Sequence, residues 1–372
     1  MKIIIERAAL LRSLGHVQSV VERRNTIPVL SNVLLNAGNG TLSLVATDMD
    51  LEISETVTAE ILTPGSATAP AHTLYDIARK LPDGSQVELD ATGDVLTLRS
   101  GRSNFKLGTL PVADFPEMTH GSWPHQFALK ADVLKGLIDR TKFAISTEET
   151  RYYLNGIHVH ATKGKAGEEP SLRAVATDGH RLARVETPLP EGAAGLPGVI
   201  IPRKTVLEVR KLLDEVGDMV EIGLSETKIR FSLGDVTLVS KLIDGTFPDY
   251  ERVIPAGNDK SLDVDSKLFA AAVDRVATIS TEKSRAVKLS LGQGVLTLSA
   301  TAADAGSASE ELEVDYASTP LEIGFNSRYL LDITGQIESG KARLQMADGN
   351  SPTIVRDAAD ASALYVLMPM RV

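Results

Sequence analysis

The four residues VATD occur twice in this chain, at 45–48 and at 175–178, and the segments around them recur in the same order. Each third of the chain begins with an amphipathic pattern, at 7–21, 131–145 and 266–280. Its apolar residues recur every three or four positions, as they do in a helix that packs on a sheet. Ordered self-similarity of this kind indicates internal repeats, so the chain is predicted to contain three copies of one unit.

Further elements recur inside each copy. A strand-like segment is followed by one predicted strand, which includes the VATD signature at 42–53 and 172–183. Its counterpart at 296–307 keeps Ala-Thr-Ala and has lost the aspartate. A second helical pattern then occurs at 71–84, 202–217 and 326–340, before two alternating segments typical of half-buried antiparallel strands. The predicted fold class is α+β, with three tandem domains of helices on antiparallel sheets. The predicted boundaries lie in turn-rich segments and give the domains 1–123, 124–256 and 257–372.

Composition restricts the class of protein. The chain has 372 residues, of which 43% are hydrophobic and 24% charged, as in ordinary globular proteins. It contains no cysteine, which excludes disulfides, thiolate metal sites and cysteine nucleophiles. The N-terminus has an apolar run of only three residues before Glu6, which is not a signal peptide, and no segment approaches the roughly 20 apolar residues of a membrane span. We therefore expect a soluble cytoplasmic protein that does not associate with membranes.

Sequence motifs for catalysis are missing. The chain contains no P-loop, no G-x-S-x-G elbow and no H-E-x-x-H zinc helix. The best candidate for enzymatic chemistry is the trio Asp48, Asp50 and Glu52, which on a strand would share one face and could bind Mg²⁺ in a nuclease. The alternative is a solvent-facing acidic stripe on an amphipathic strand, whose other face buries the residues between and after them, Met49, Leu51 and Ile53.

The second VATD copy favours the stripe over the metal site. His180 and Leu182 stand where the first copy has Asp50 and Glu52, and a duplicated metal site would not tolerate that exchange. Asp178 and His180 also lack a nucleophile that would complete a catalytic triad. We interpret this segment as a strand end, where Gly179 permits a turn and His180 lines a groove. We therefore expect no catalytic residue, no metal site and no cofactor.

Charge is unevenly distributed. The formal net charge is −10, but basic residues are concentrated on the repeated helical segments, whereas acidic residues are frequent in strands and loops. A basic face that recurs on an acidic protein is suited to a polyanion. Helix surfaces are also rich in lysine and arginine for solubility, so charge alone leaves both interpretations open.

Five segments together resemble the bacterial DNA sliding clamps, the beta subunits of DNA polymerase III. They are RRNTIPVLSN (23–32), TRYYLNGI (150–157), VATDGHRLA (175–183), SKLIDGTFPDY (240–250) and YVLMPMRV (365–372). The resemblance covers the full length. It implies a non-catalytic processivity factor, in which two head-to-tail subunits form a six-domain ring around duplex DNA with helices lining the pore.

The resemblance also implies DNA contacts and a partner groove. DNA would be contacted by Arg24, Tyr152 and Tyr153, although Glu148 and Glu149 in the nearby loop would weaken attraction to phosphates. The groove would bind short linear peptides of the DNA polymerase III α subunit, the clamp-loader complex and other replication and repair proteins. The implied groove residues are Leu154, Thr177, Gly179, His180, Arg181, Leu182, Pro248, Arg252, Val253, Asn326, Tyr329, Val366, Met368, Pro369, Met370 and Arg371.

A homodimer interface is implied in the same way. Phe105 and Leu107 would pack against Ile279 of the partner subunit, and two basic residues would face two acidic ones across the contact: Arg99 and Arg102, Glu310 and Glu311. Such a protein would act at replication forks on the nucleoid. A repeat scaffold with no role on DNA is the second alternative to this function, beside the metal-dependent nuclease.

Overall fold

The computed structural model describes residues 1–118, 121–164, 169–215, 217–280, 285–303 and 305–371. The described residues contain two α-helices in each third of the chain: α1 (Arg7–Gln18), α2 (Ala71–Lys80), α3 (Ala131–Asp139), α4 (Arg203–Leu212), α5 (Ser266–Ala277) and α6 (Ser327–Thr334). All six lie where the sequence patterns predict helices, and all are shorter than those patterns. None of the described helices is long and apolar enough to cross a membrane.

The strands also follow the thirds of the chain. The first third contains β1 (Lys2–Glu6), β2 (Asn32–Gly38), β3 (Thr41–Thr47), β4 (Leu51–Thr58), β5 (Glu60–Thr63), β6 (Gly65–Pro70), β7 (Gln86–Thr92), β8 (Val95–Ser100) and β9 (Ser103–Gly108). The second contains β10 (His125–Lys130), β11 (Gly156–Ala161), β12 (Ser171–Thr177), β13 (Arg181–Pro188), β14 (Val199–Pro202), β15 (Met219–Leu224), β16 (Lys228–Leu233) and β17 (Val236–Lys241). The last contains β18 (Lys260–Asp265), β19 (Ala286–Gly292), β20 (Val295–Ala302), β21 (Gly306–Glu313), β22 (Leu321–Asn326), β23 (Lys341–Met346), β24 (Thr353–Asp357) and β25 (Ala363–Leu367).

The order of elements is the same in every third: one strand, a helix, four strands, a helix and three strands, with β5 as an addition in the first third. The predicted triple repeat and the α+β class are therefore confirmed. The sequence patterns missed the strand directly before each helix, for example β1 before α1 and β14 before α4. These strands are four to six residues long, so each offers few alternating positions to detect.

All strands pair antiparallel in four sheets. The five-stranded sheet has the order β5-β1-β7-β8-β9 and the four-stranded sheet the order β21-β20-β19-β22. The two eight-stranded sheets have the orders β10-β15-β16-β17-β4-β3-β2-β6 and β14-β11-β12-β13-β25-β24-β23-β18. Each large sheet joins strands of two thirds, through the pairs β17–β4 and β13–β25. The repeat in sequence is thus not the unit of sheet formation.

Two compact units follow from this pairing. The first contains residues 1–135, 190–193 and 204–242, and the second contains residues 136–189, 194–203 and 243–372. In the first unit, α1 buries Leu10, Leu14 and Val17, and it packs on β3 and β4. In the second, α5 buries Phe269, Ala272 and Val273 in the same way. The apolar spacing of the helices therefore produces the packing on sheets that the sequence predicts.

Candidate peptide groove and DNA interface

The second VATD segment ends strand β12 in a hydrogen-bonded turn. The Oδ1 atom of Asp178 accepts hydrogen bonds from the backbone N–H groups of His180, at 2.9 Å, and Arg181, at 3.0 Å. The Thr177 hydroxyl donates to the carbonyl oxygen of Arg181 at 2.7 Å. Gly179 has a φ of 89°, a conformation that glycine adopts without a steric penalty. The prediction that Gly179 permits a turn here agrees with this geometry.

The first copy builds the same turn. Asp48 Oδ1 accepts from the N–H groups of Asp50, at 2.9 Å, and Leu51, at 2.7 Å, and the Thr47 hydroxyl donates to the Leu51 carbonyl oxygen at 2.9 Å. The prediction of one signature strand through VATD is therefore wrong, because β3 ends at Thr47 and β4 begins at Leu51. Threonine and aspartate side chains bond the local backbone readily, and here they reverse the chain.

The acidic stripe predicted at 48–52 is also wrong. Met49 is 45% exposed rather than buried, and Glu52 is 5% exposed rather than solvent-facing. The three carboxylates have separate partners. Asp48 lies 2.6 Å from Lys204 Nζ, Asp50 lies 2.9 Å from Lys241 Nζ, and Glu52 accepts from the Met118 N–H at 3.3 Å. In the described part of the chain, no group of three His, Asp or Glu side chains is arranged to hold a metal ion.

A cleft of about 290 Å³ lies beside the second VATD turn. Its lining includes the following residues of the predicted groove: Leu154, Thr177, Gly179, Arg181, Leu182, Pro248, Val253, Val366 and Met368. It also includes residues that the sequence did not assign to the groove: Arg151, Tyr153, Asp249 and Tyr250. These residues come from four segments that are distant in sequence: 153–154, 177–182, 248–253 and 366–368. The pairing of β12, β13 and β25 brings 177–182 and 366–368 together, and 153–154 and 248–253 complete the lining.

The cleft has an apolar floor. Leu182 and Val366 are directly opposite each other in the β13–β25 pair, and each is 2% exposed. They belong to one buried cluster with Val175, Tyr250, Ile354 and Leu364. Val253 and Met368 are 51% and 41% exposed at the rim. An apolar floor with exposed apolar rim residues is suited to side chains of a bound ligand.

A second, polar cleft of about 440 Å³ contains His180 and Tyr329. The rings of these two residues are stacked with their centroids 6.4 Å apart. Arg181 lines both clefts and is 8% exposed. Its guanidinium group lies 4.2 Å from the Tyr329 ring centroid, 2.5 Å from an Asp332 carboxylate oxygen and 3.1 Å from Asp178. Because its charge is paired on two sides, Arg181 links the VATD turn to α6.

The remaining predicted groove residues line neither cleft. The Asn326 side chain accepts from the N–H of Arg328 at 3.0 Å and so caps α6. Arg252 pairs with Asp249 at 2.8 Å, and the backbone N–H of Met370 donates to Gly324 at 2.8 Å. Pro369 is half-buried and Arg371 is exposed, and neither lines either cleft.

The predicted DNA-contacting residues are accessible. Arg24 is exposed in the segment after α1, in the first compact unit. Tyr152, 53% exposed, and Tyr153 lie in the second unit with their ring centroids 5.7 Å apart. Glu148 accepts a hydrogen bond from Arg151 Nε at 2.9 Å, and this bond lowers the pKa of the Glu148 carboxyl. The charge of Arg151 therefore compensates one of the two acids that were expected to repel phosphate.

Ion pairs compensate much of the positive charge on the helices. Lys135 and Arg210 both pair with Asp214 at 2.6 Å, and Arg275 pairs with Glu310 at 2.5 Å. These acids lie outside the helices, Asp214 after α4 and Glu310 on β21, so acids on neighbouring segments neutralise part of the basic helical surface. Within the described residues, the following helix or helix-flanking cations have no carboxylate within 4.0 Å: Arg23, Arg24, Lys80, Arg203, Lys267 and Arg328.

Two sheets end in exposed edge strands. Strand β9 is an edge of the five-stranded sheet and carries Phe105, 37% exposed, and the half-buried Leu107. Strand β21 is an edge of the four-stranded sheet and carries Glu310 and Glu311. Of the other predicted interface residues, Arg102 is exposed, Ile279 is half-buried, and Arg99 pairs with Glu88 at 2.8 Å.

Comparison with known proteins gives matches along the whole chain. The family profiles of the DNA polymerase III beta subunit match in order: the N-terminal domain at residues 1–119, the central domain at 128–249 and the C-terminal domain at 251–371. A beta sliding clamp of Caulobacter vibrioides is 57% identical over 374 residues, and one of Escherichia coli K12 is 39% identical over 374 residues. Both alignments cover 100% of each chain.

Solved structures of sliding clamps have the same fold. The clamp of Bartonella birtlesii, bound to griselimycin, has a TM-score of 0.97 and 54% identity. The clamp of Pseudomonas aeruginosa has a TM-score of 0.94 and 41% identity. Each comparison covers 100% of both chains. The chain therefore belongs to the DNA polymerase III beta subunit family, the beta sliding clamps, which are non-catalytic processivity factors of DNA replication.

Proposed function

We propose that two copies of this chain close into a ring around duplex DNA and tether the replicative polymerase to it. The observation that carries this proposal is the ordered match of all three beta subunit domains along one chain. Three domains in each of two subunits give the six-domain ring that the family resemblance implies. We propose 1–123, 124–256 and 257–372 as the domains.

Edge strands support the closure of the ring. The unpaired N–H and C=O groups of an edge strand are a template for pairing with another chain. We assign the contact to β9 of one subunit and β21 of its partner, with Phe105, Leu107 and Ile279 at its apolar centre. Arg99 and Arg102 then lie near Glu310 and Glu311, and Arg99 exchanges its bond to Glu88 for one across the interface. Such a contact joins two different surfaces, and it closes after two subunits.

The DNA contact is a phosphate contact. Arg24 is an exposed cation without a carboxylate partner in the described residues, Tyr152 is 53% exposed, and Tyr153 is half-buried beside it. Contacts of this type hold the backbone of DNA without reading its sequence, and salt weakens them. Retention by enclosure does not require a tight contact, so a small number of free cations is sufficient.

The apolar cleft is the site for polymerase and other partners. A linear peptide would bury apolar side chains against Leu182 and Val366, and each fully buried side chain contributes about 1.5–3 kcal/mol. Met368 at the rim adapts to different side chains, which suits a site that is shared by several partners. We assign to this site the DNA polymerase III α subunit, the clamp loader and other replication and repair proteins, as well as griselimycin. These interactions take place in the cytoplasm at replication forks on the nucleoid.

The test is retention on circular and linear DNA. The chain is loaded onto nicked circular plasmid with the clamp loader of the same organism, and a restriction enzyme then linearises half of the sample. We expect bound protein to remain on the circles and to leave the linear molecules, since enclosure ends at a free DNA end. A scaffold without a role on DNA would not be retained on either, and equal retention on both would show binding without enclosure.

A further inference from the structure

The wall of the apolar cleft is a short segment that is held from behind by strand β11. Pro248, Asp249 and Tyr250 line the cleft. The residue before them, Phe247, stacks on His158 with ring centroids 4.7 Å apart and an interplanar angle of 9°. His158 Nδ1 lies 3.1 Å from the carbonyl oxygen of Val199; because a carbonyl oxygen can only accept, Nδ1 carries the proton and donates it, which fixes the tautomer of His158.

The other end of this segment is held by His160. Its Nε2 atom lies 2.9 Å from the hydroxyl oxygen of Tyr250, which is 6% exposed. Arg173 Nη1 lies 3.4 Å from the same hydroxyl oxygen and 2.9 Å from a Glu251 carboxylate oxygen. Arg173 Nε also bonds Glu186 at 2.7 Å. The Tyr250 hydroxyl is therefore a junction between the groove wall and two strands of the sheet.

The direction of these hydrogen bonds follows from their chemistry. Arg173 can only donate, so the Tyr250 oxygen accepts from Arg173 and its O–H is left to donate to His160 Nε2. His160 Nδ1 lies 3.4 Å from the carbonyl oxygen of Ala161, which can only accept a hydrogen bond, so the proton of the neutral ring is assigned to Nδ1 and Nε2 accepts from the Tyr250 hydroxyl. Burial lowers the pKa of His160, and it lowers the pKa of His158 to about 4. Both imidazoles are thus neutral near pH 7.

The groups that face His160 have opposite effects on its protonation. His158 is stacked beside it at 5.0 Å on β11, and Arg173 on β12 is a fixed cation. Glu251, on the segment that follows Tyr250, favours the protonated form but is already bonded to Arg173. A proton on Nε2 would remove the acceptor for the Tyr250 hydroxyl and place a second cation beside Arg173.

We propose that His158 and His160 are positioning residues for the partner groove, which hold Phe247 and Tyr250 so that the wall between them keeps its shape. They line neither the apolar nor the polar cleft and act on partner binding through the wall. This inference rests on the proposed function of the cleft. Replacing an acceptor behind the wall should change partner affinity although no contact with the partner is lost.

The experiment measures the dissociation constant of griselimycin by calorimetry on the full chain. We expect His160→Phe, which keeps a ring but removes the acceptor, to weaken binding about tenfold, since a buried hydroxyl loses its partner. His160→Gln keeps an acceptor and should bind as the wild type does. Tyr250→Phe should weaken binding to a similar extent, and the double variant His160→Phe with Tyr250→Phe no further, because both changes remove one and the same hydrogen bond.

A pH series separates positioning from a general effect on folding. As the pH falls through the His160 pKa, wild-type affinity for griselimycin should decline more than that of His160→Gln, which has no imidazole at this position. Parallel profiles, or an additive double variant, would overturn the positioning role. If folded His160→Phe binds griselimycin as well as the wild type does, the positioning proposal is overturned and the groove assignment stands. If the wild type does not bind at all, the groove assignment fails together with this proposal.

Discussion

The Nδ1 atom of His16 lies 2.6 Å from the Oε2 atom of Glu55, and its Nε2 atom lies 2.8 Å from the Oε2 atom of Glu215. A neutral imidazole has only one N–H group, so two carboxylate partners require the doubly protonated form. Burial alone would lower the pKa of His16, but the hydrogen bonds to Glu55 and Glu215 raise it above its ordinary value. Helix α1 is thus joined to β4 and to the segment after α4 by a buried charge.

Because the folded-state pKa of His16 is raised, its stabilisation is complete below the unfolded pKa of about 6.5 and is lost as pH rises through the folded value. We expect His16→Asn to lower the free energy of unfolding by about 3–5 kcal/mol at pH 6, because Glu55 is left buried without its counter-ion. Arg12, 3.9 Å from Glu55, is too far away to replace it by a hydrogen bond.

Urea unfolding of the wild type and of His16→Asn between pH 6 and pH 9 checks this expectation. The difference in the free energy of unfolding between wild type and His16→Asn should become smaller as the pH rises. His72→Asn is the matched control, since the His72 ring bonds the Val21 carbonyl oxygen, at 2.9 Å, and pairs with no carboxylate among the described residues. A constant difference across the pH range would show that His16 is not charged in the folded chain.

The repeat and the helices could be predicted from the sequence because amphipathic spacing is a local property of α1, α3 and α5. Of the two turns at VATD, the one at Gly179 was predicted, but the first was not, because the predicted alternation passes through Asp48 without interruption. Each turn depends on side-chain oxygens that bond the backbone two and three residues further on. The aspartates themselves, repeated 130 positions apart, were the available signal. In an Asx turn, the side chain of an aspartate or asparagine bonds the backbone in this way.

The groove was predictable only through the family resemblance. Leu182 and Val366 are far apart in the sequence, and only the β13–β25 pairing places them side by side. Tyr250 was missed as a lining residue because nothing local distinguishes a tyrosine of a groove wall from one of a core. Met370 was included by resemblance, but its backbone pairs with Gly324 outside both clefts. Interactions over long sequence separations decide these positions, and a single sequence does not contain them.

The proposed dimer contact predicts different effects at the two edges of one sheet. Phe105→Asp on β9 should convert the dimer into monomers, because it removes the apolar centre and adds a negative charge opposite Glu310 and Glu311. Leu62→Asp on β5, the other edge, changes a residue of similar exposure, 46% against 37%, and should leave the dimer intact. Sedimentation equilibrium measures both. Dissociation by Leu62→Asp, or a stable Phe105→Asp dimer, would contradict the β9–β21 contact.

The two VATD turns should contribute equally to stability but unequally to function. Each aspartate bonds two backbone N–H groups and one cation, Lys204 for Asp48 and Arg181 for Asp178. We expect Asp48→Ala and Asp178→Ala each to lower the free energy of unfolding by about 1–3 kcal/mol, since donors are left without partners. Only Asp178→Ala should weaken griselimycin binding, because its turn carries Gly179 and Arg181 of the cleft. Equal losses of affinity in both variants would contradict a specialised second turn.

The rim of the apolar cleft offers a direct test of partner binding. Met368 and Val253 are largely exposed, so Met368→Ala together with Val253→Ala should leave the fold unchanged. A partner side chain would bury the atoms that these changes remove. Burial of each methylene contributes about 0.8 kcal/mol, so we expect about tenfold to hundredfold weaker binding of griselimycin and a matching loss of polymerase stimulation.

Met219→Ala is the control, because Met219 is 49% exposed on β15, outside both clefts. Retention on circular DNA should be equal in all three proteins once they are loaded, since enclosure does not use the cleft. If the rim variant stimulates the polymerase as well as Met219→Ala does, then partners bind elsewhere on the chain.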